Sequence, residues 1–223
     1  MLFCISNQAW ARIYIPINQA SDKKFPIAIT EFAGKGKTKT KLRNILINDL
    51  KLSGYFRILP EAIFKQHAKH EGQSIDSIRF SYWTTLETQA LIKGEVSKEK
   101  DLYIINLKMF DPYIPQMLVG KEYRVGKAQL RDAVHQFANE IMKALTGRYG
   151  VFNTQIAYTG IMKRNRKNIF VMDMDGARKK QITRYKNSSF SPSWSPNGKK
   201  IVFTSYLHGQ PDIYTIGKNG KGL

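Results

Sequence analysis

Two stretches of this chain repeat at a spacing of 44–45 residues, and that spacing restricts the fold more than any other feature. Ile156-Ala-Tyr-Thr159 and Asn168-Ile-Phe-Val-Met-Asp-Met-Asp-Gly176 correspond to Ile201-Val-Phe-Thr204 and Asp212-Ile-Tyr-Thr-Ile-Gly-Lys-Asn-Gly220. Between them lies Ser193-Trp-Ser-Pro-Asn-Gly-Lys-Lys-Ile-Val-Phe203. Short alternating strands, Asp-Gly and Asn-Gly turns and a period of ~40–45 residues together mark a β-propeller blade. Propeller loops generally face a partner, so the repeat favours binding over catalysis. A closed ring needs several such blades, whereas 73 residues follow Gly150. The reading is therefore an incomplete all-β segment of about one and a half blades over 151–223, from a fragment or a truncated or split gene. Its open strand edges predict pairing with another chain or aggregation.

Residues 12–150 read as a separate α/β (α+β) domain. Phe25–Phe32 is a buried strand, and Leu42, Ile45, Leu46 and Leu50 recur at helical spacing, with Thr38 or Thr40 as the N-cap and Gly54 as the stop. Tyr55–Leu59 is a further strand, Pro60 opens a helix carrying Ile63 and Phe64, and Trp83 and Leu86 mark another helical turn. Ala90–Val96 is a strand, and 102–110 with 117–125 form an antiparallel pair turning near Asp111. Leu130, Ala133, Val134, Phe137, Ile141 and Leu145 line one face of a final helix ended by Gly147. Gly147-Arg-Tyr-Gly150 is the domain boundary.

The apolar share of 42% is enough for a core, and no run of apolar residues is long enough for a membrane-spanning helix. Met1–Ala11 reads as a signal-peptide remnant: Met1–Ile5 is apolar, and Ala9-Trp10-Ala11 has the small-x-small cleavage pattern. Cleavage there removes Cys4, the single cysteine, which fits export without disulfides. The formal charge of +19 raises a nucleic-acid or anionic-surface binder as an alternative. Its lysines and arginines are scattered in short groups without a nucleic-acid motif, so a solvated basic surface is the preferred reading and no nucleic acid is expected.

Constellations for chemistry are sparse. Gly36-Lys37-Thr38 sits between strand and helix, as a phosphate loop does, and gives a nucleotide-binding alternative. Glu31 stands where that pattern requires its first glycine, so a basic loop is preferred. His67, His70 and Glu71 have helical spacing but no further ligand cluster, and read as surface residues. His135 reads as a helix-surface histidine. No Ser-His-Asp arrangement or Gly-x-Ser-x-Gly elbow surrounds the serines at 188–195. The expectation is no enzyme, no cofactor and no metal.

The stretches Phe25-Pro-Ile-Ala-Ile, Leu50-Lys-Leu-Ser-Gly-Tyr-Phe56, Leu118-Val-Gly-Lys-Glu-Tyr123, Phe137-Ala-Asn-Glu-Ile141 and Phe152-Asn-Thr-Gln-Ile-Ala-Tyr158 resemble the TolB family, the periplasmic component of the Tol–Pal system. Ser191-Pro-Ser-Trp-Ser-Pro-Asn-Gly198 resembles its blade signature, with Asn197 where Asp is commoner. The resemblance implies an N-terminal α/β domain followed by a six-bladed propeller and a non-catalytic adaptor in the periplasm. It implies a role in outer-membrane integrity and cell division, with two partners: the inner-membrane protein TolA and the outer-membrane lipoprotein Pal. The TolA-binding arm maps onto Arg12, Ile13, Tyr14, Ile15, Pro16 and Ile17, acting by strand addition. The Pal-binding propeller mouth maps onto Ser188, Ser189, Phe190 and Ser191.

Overall fold

The computed structural model describes residue 15 and residues 24–223. Expectations for Met1–Ala11 and for Arg12, Ile13, Tyr14, Pro16 and Ile17 lie outside the described residues. The chain divides after Gly150 into two compact units.

In the first unit, β1 (Phe25–Ile29) lies between β3 (Phe56–Ile58) and β4 (Ala90–Glu99), parallel to both. β4, β5 (Leu102–Asp111) and β6 (Gln116–Gly126) continue as an antiparallel meander, and β2 (Ala33–Gly34) extends the parallel pairing along β4. Side chains alternate across a strand. Ala28 of β1 packs with Leu91, Phe110, Phe64 and Trp83 beneath α2 (Glu61–Ala68) and α3 (Phe80–Thr85). Ile27 and Ile29 point to the opposite face, and both are buried. The two remaining helices, α1 (Thr38–Leu52) and α4 (Leu130–Thr146), pack against each other.

The predicted apolar stripe of α4 is buried from Leu130 to Leu145, and Gly147 closes the helix at φ +75°, donating its N–H to Lys143. That left-handed cap suits glycine. The expected threonine cap of α1 is not made. Ala33–Gly34 is pinned on β4, three residues remain before the helix, and it starts at Thr38 with Lys37 at the cap position and no side-chain cap bond. The β5–β6 turn is held by Asp111, whose Oδ1 accepts from the N–H groups of Tyr113 (2.9 Å) and Ile114 (3.1 Å).

The second unit holds two three-stranded antiparallel sheets, β7-β8-β9 and β10-β11-β12. Their strands are β7 (Gln155–Ile161), β8 (Lys167–Asp173), β9 (Lys180–Gln181), β10 (Ser189–Trp194), β11 (Lys200–Ser205) and β12 (Asp212–Gly217). Ile169, Val171 and Ile182 of the first sheet region pack on Ile201, Phe203 and Ile216 of the second. Trp194 is half-buried against this core, as a blade strand predicts. The sequence repeat equates β7 with β11 and β8 with β12, so the sheets are out of phase. Among the described residues, the first pairs β8 with an outer β9, and the second pairs β11 with a preceding β10. Neither sheet closes on itself, and the fold is an α/β domain followed by an incomplete propeller segment.

Candidate partner-binding site

Three connections of the second unit converge at one end. The Lys167 N–H donates to Ser188 Oγ (3.3 Å), linking the β7–β8 turn to the segment entering β10. Asn187 Nδ2 donates to the carbonyls of Tyr206 (2.7 Å) and Leu207 (3.4 Å), and the Tyr206 N–H donates to the Ser188 carbonyl (3.0 Å). A cavity of about 430 Å³ opens there, lined by Lys186, Asn187, Ser188, Tyr206 and Gly209.

The four residues expected at the propeller mouth differ in what they present. Ser189 faces inward: its Oγ is 2.9 Å from Ser205 Oγ and both residues are fully buried, so it shapes the rim and offers no side chain to a partner. Ser188 and Phe190 are half-buried, and Ser191 is exposed. Ser191 has φ +53° and sits where the β10–β11 register slips between Phe190 and Ser193. Such a bulge bends the strand and re-aims its side chains. Phe190 lies 6.1 Å from the Tyr206 ring, with Lys167 Nζ 5.8 Å from its centroid.

The loops here are basic. Lys163, Arg164, Arg166, Lys167 and Lys186 occur along the two connections, and the acid at this end is Asp212, paired in register with Ser205. Arg164 and Asn165 both take left-handed backbone conformations, tightening the β7–β8 turn. Aromatic rings beside a surplus of cations form a surface suited to protein contacts, where aromatic and Arg anchors concentrate. Of the arm, Ile15 is described: it is half-buried, and its N–H donates to the Leu145 carbonyl (2.7 Å) in the last turn of α4.

The other candidate groups have structural explanations. Gly36-Lys37-Thr38 forms no phosphate cradle. The backbone preceding it is consumed in strand pairing, and Gly34 runs so close to β4 that an added Cβ would meet the Val96 carbonyl oxygen at 2.0 Å. His70 is exposed. His67 stacks on Tyr82, with centroids 3.5 Å apart, and its Nε2 lies 3.0 Å from Glu71 Oε1.

Glu71 is therefore not a surface residue. Its buried carboxylate accepts from Trp83 Nε1 (3.1 Å) and the Arg79 N–H (2.9 Å), and pairs with the fully buried Lys93 ammonium at 3.0 Å. Burial pushes the Lys93 pKa down, against the opposing pull of Glu71. Sequence reasoning passed over Lys93; a lone lysine inside the apolar run Ala90-Leu-Ile-Lys-Gly94 was the available signal. His135 also corrects its expectation. It is buried, with Nδ1 2.7 Å from Oδ2 of Asp49 on α1, because α1 covers the flank of α4 that helical periodicity left to solvent.

Residues 13–116 match the TolB amino-terminal domain family, and residues 142–218 match the TolB β-propeller domain family, in that order along one chain. The chain belongs to the TolB family. It is 31% identical to the Tol-Pal system protein TolB of Nitrosococcus oceani over 94% of its own length and 49% of that relative's. It is 30% identical to that of Hydrogenovibrio crunogenus, over 99% and 52%. The crystal structure of TolB from Acinetobacter baumannii superposes with a TM-score of 0.76 at 26% identity, covering 90% of this chain and 49% of that one. The chain spans about half the length of the relatives it matches. Among the described residues, no helix is long and apolar enough to cross a membrane.

Proposed function

We propose that this chain acts as a non-catalytic periplasmic adaptor of the Tol–Pal system, supporting outer-membrane integrity and cell division. The observation that carries the reading is the succession of the two TolB domain families along one chain. The arm, Arg12, Ile13, Tyr14, Ile15, Pro16 and Ile17, contacts a TolA-like inner-membrane protein by adding a strand to its sheet. The loop end of the second unit contacts a Pal-like outer-membrane lipoprotein through Ser188, Phe190 and Ser191, with Ser189 holding the rim in shape. Its cavity, exposed bulge and aromatic–cation cluster support that assignment.

The test is a pull-down with TolA-like and Pal-like domains, comparing the intact chain, a chain starting after Asp22, and Phe190→Ala. Loss of the TolA-like domain alone on removing the arm, and of the Pal-like domain alone in Phe190→Ala, is the expected pattern. Retention of both by all three proteins rejects the two assigned contacts.

A further inference from the structure

The first unit contains a crevice that neither partner contact uses. In open α/β sheets, ligands lie outside the carboxyl ends of parallel strands at the point where the direction of connection reverses. That point here is the end of β1. β1 leads through α1 to β3 on one side, and β3 returns through α2 and α3 to β4 on the other. A cavity of about 200 Å³ occupies this place, between the segment following β1 and one face of α2. Phe32 and Phe64, each 1% exposed, supply its apolar wall.

The charges around it are unevenly matched. Three carboxylates line the cavity, and each already pairs with a cation of the chain. Glu31 pairs with Lys65 at 3.6 Å, Glu61 with Arg43 at 2.9 Å and Lys65 at 3.4 Å, and Glu71 with Lys93 at 3.0 Å. Burial acts to raise the Glu61 pKa, but Arg43 and Lys65 together hold it below the usual carboxylate value. Lys39, from α1, and Lys69, from the end of α2, also line the cavity. Among the described residues, neither has a carboxylate within ion-pair distance. Counting Arg43 and Lys93 behind the wall, five cations stand against three carboxylates. The surplus is positive, and Lys39 and Lys69 carry it into the lining of the cavity.

We propose that this crevice binds a small organic anion, its carboxylate or phosphate group held between Lys39 and Lys69 and its apolar part against Phe32 and Phe64. The volume falls below the ~300–1,000 Å³ of sites that enclose drug-sized molecules, which favours a small ligand over a nucleoside triphosphate. The site differs from the Gly36-Lys37-Thr38 loop, none of whose residues lines the cavity.

The test is an amide chemical-shift titration of the isotope-labelled full chain with three probes: hexanoate, sn-glycerol 3-phosphate and inorganic phosphate. The expected result is saturable shifts at Phe32, Lys39, Phe64 and Lys69 with at least one probe. A response to hexanoate alone assigns a carboxylate ligand, and a response to the phosphates alone assigns a phosphate ligand. Lys39→Glu and Lys69→Glu should each weaken binding roughly tenfold, while Lys41→Glu, on the same helix but outside the cavity, leaves it unchanged. Absence of saturable shifts with all three probes at millimolar concentration overturns the proposal. So does an equal loss in Lys41→Glu, which marks nonspecific attraction to a basic protein.

Discussion

Replacing Lys93 with Met leaves the Glu71 carboxylate buried with Trp83, the Arg79 N–H and the His67 ring, but without the ammonium 3.0 Å away. Both side chains are nearly inaccessible, at 1% for Lys93 and 4% for Glu71, so losing the ammonium leaves the carboxylate largely out of bulk solvent. Removing one partner of a buried ion pair typically costs ~3–5 kcal/mol, a large part of the ~5–15 kcal/mol by which a domain is stable. Glu71→Gln in the same molecule removes the stranded charge yet keeps an acceptor oxygen for the indole and the amide. In that background Lys93→Met should cost about 1 kcal/mol or less. The assay is urea unfolding followed by fluorescence with Trp10 and Trp194 replaced by Phe, so that Trp83, whose indole donates to Glu71, is the sole reporter. If Lys93→Met costs the same with and without the Glu71→Gln change, the two side chains are not coupled and the account of this cluster is wrong.

Tyr123→Phe removes a buried hydroxyl with no hydrogen-bond partner among the described residues, so stability at neutral pH should stay level or rise. Burial, with Glu140 adding to it, pushes the Tyr123 phenol up to about 12. The folded chain thus holds this proton more tightly than the unfolded one; the contribution is intact below pH ~10 and is lost as pH rises towards 12. Alkaline unfolding of Tyr123→Phe should therefore lack part of the loss seen in the parent. Gly34→Ala forces a Cβ onto the Val96 carbonyl at a backbone angle of φ +115°, and thermal melts should show a loss of at least about 1–3 kcal/mol. Ile161 on β7 and Ile213 on β12 are 69% and 78% exposed on open-edge strands. Ile161→Lys and Ile213→Lys together should lower concentration-dependent light scattering, and unchanged scattering would dismiss edge pairing as its source.

Periodicity made most elements legible beforehand. The α4 stripe, the Gly147 stop, the β5–β6 pair and the two blade strands of each repeat follow from residue spacing alone. Features set by contacts distant in sequence did not. Lys93 and Glu71 are 22 positions apart, and His135 and Asp49 meet only because α1 lies along α4. The mistaken threonine cap has a similar origin, because the start of α1 is set by the pairing of β2 on β4. At the loop end of the second unit, Ser188–Ser191 was legible as a loop entering a strand, whereas the inward turn of Ser189 depends on Ser205 in the neighbouring strand.

The phase offset between the two sheets of the second unit bears on how such a chain can be divided or fused. The visible repeat unit, from Ile156 to Ile201, is not a folding unit, since β10 precedes Ile201 in the chain yet hydrogen-bonds into the later sheet. A splice at the repeat boundary severs that sheet from its first strand. One placed between Gln181 and Ser189 leaves both sheets whole, which makes that short connection the natural seam for grafting blades from a relative.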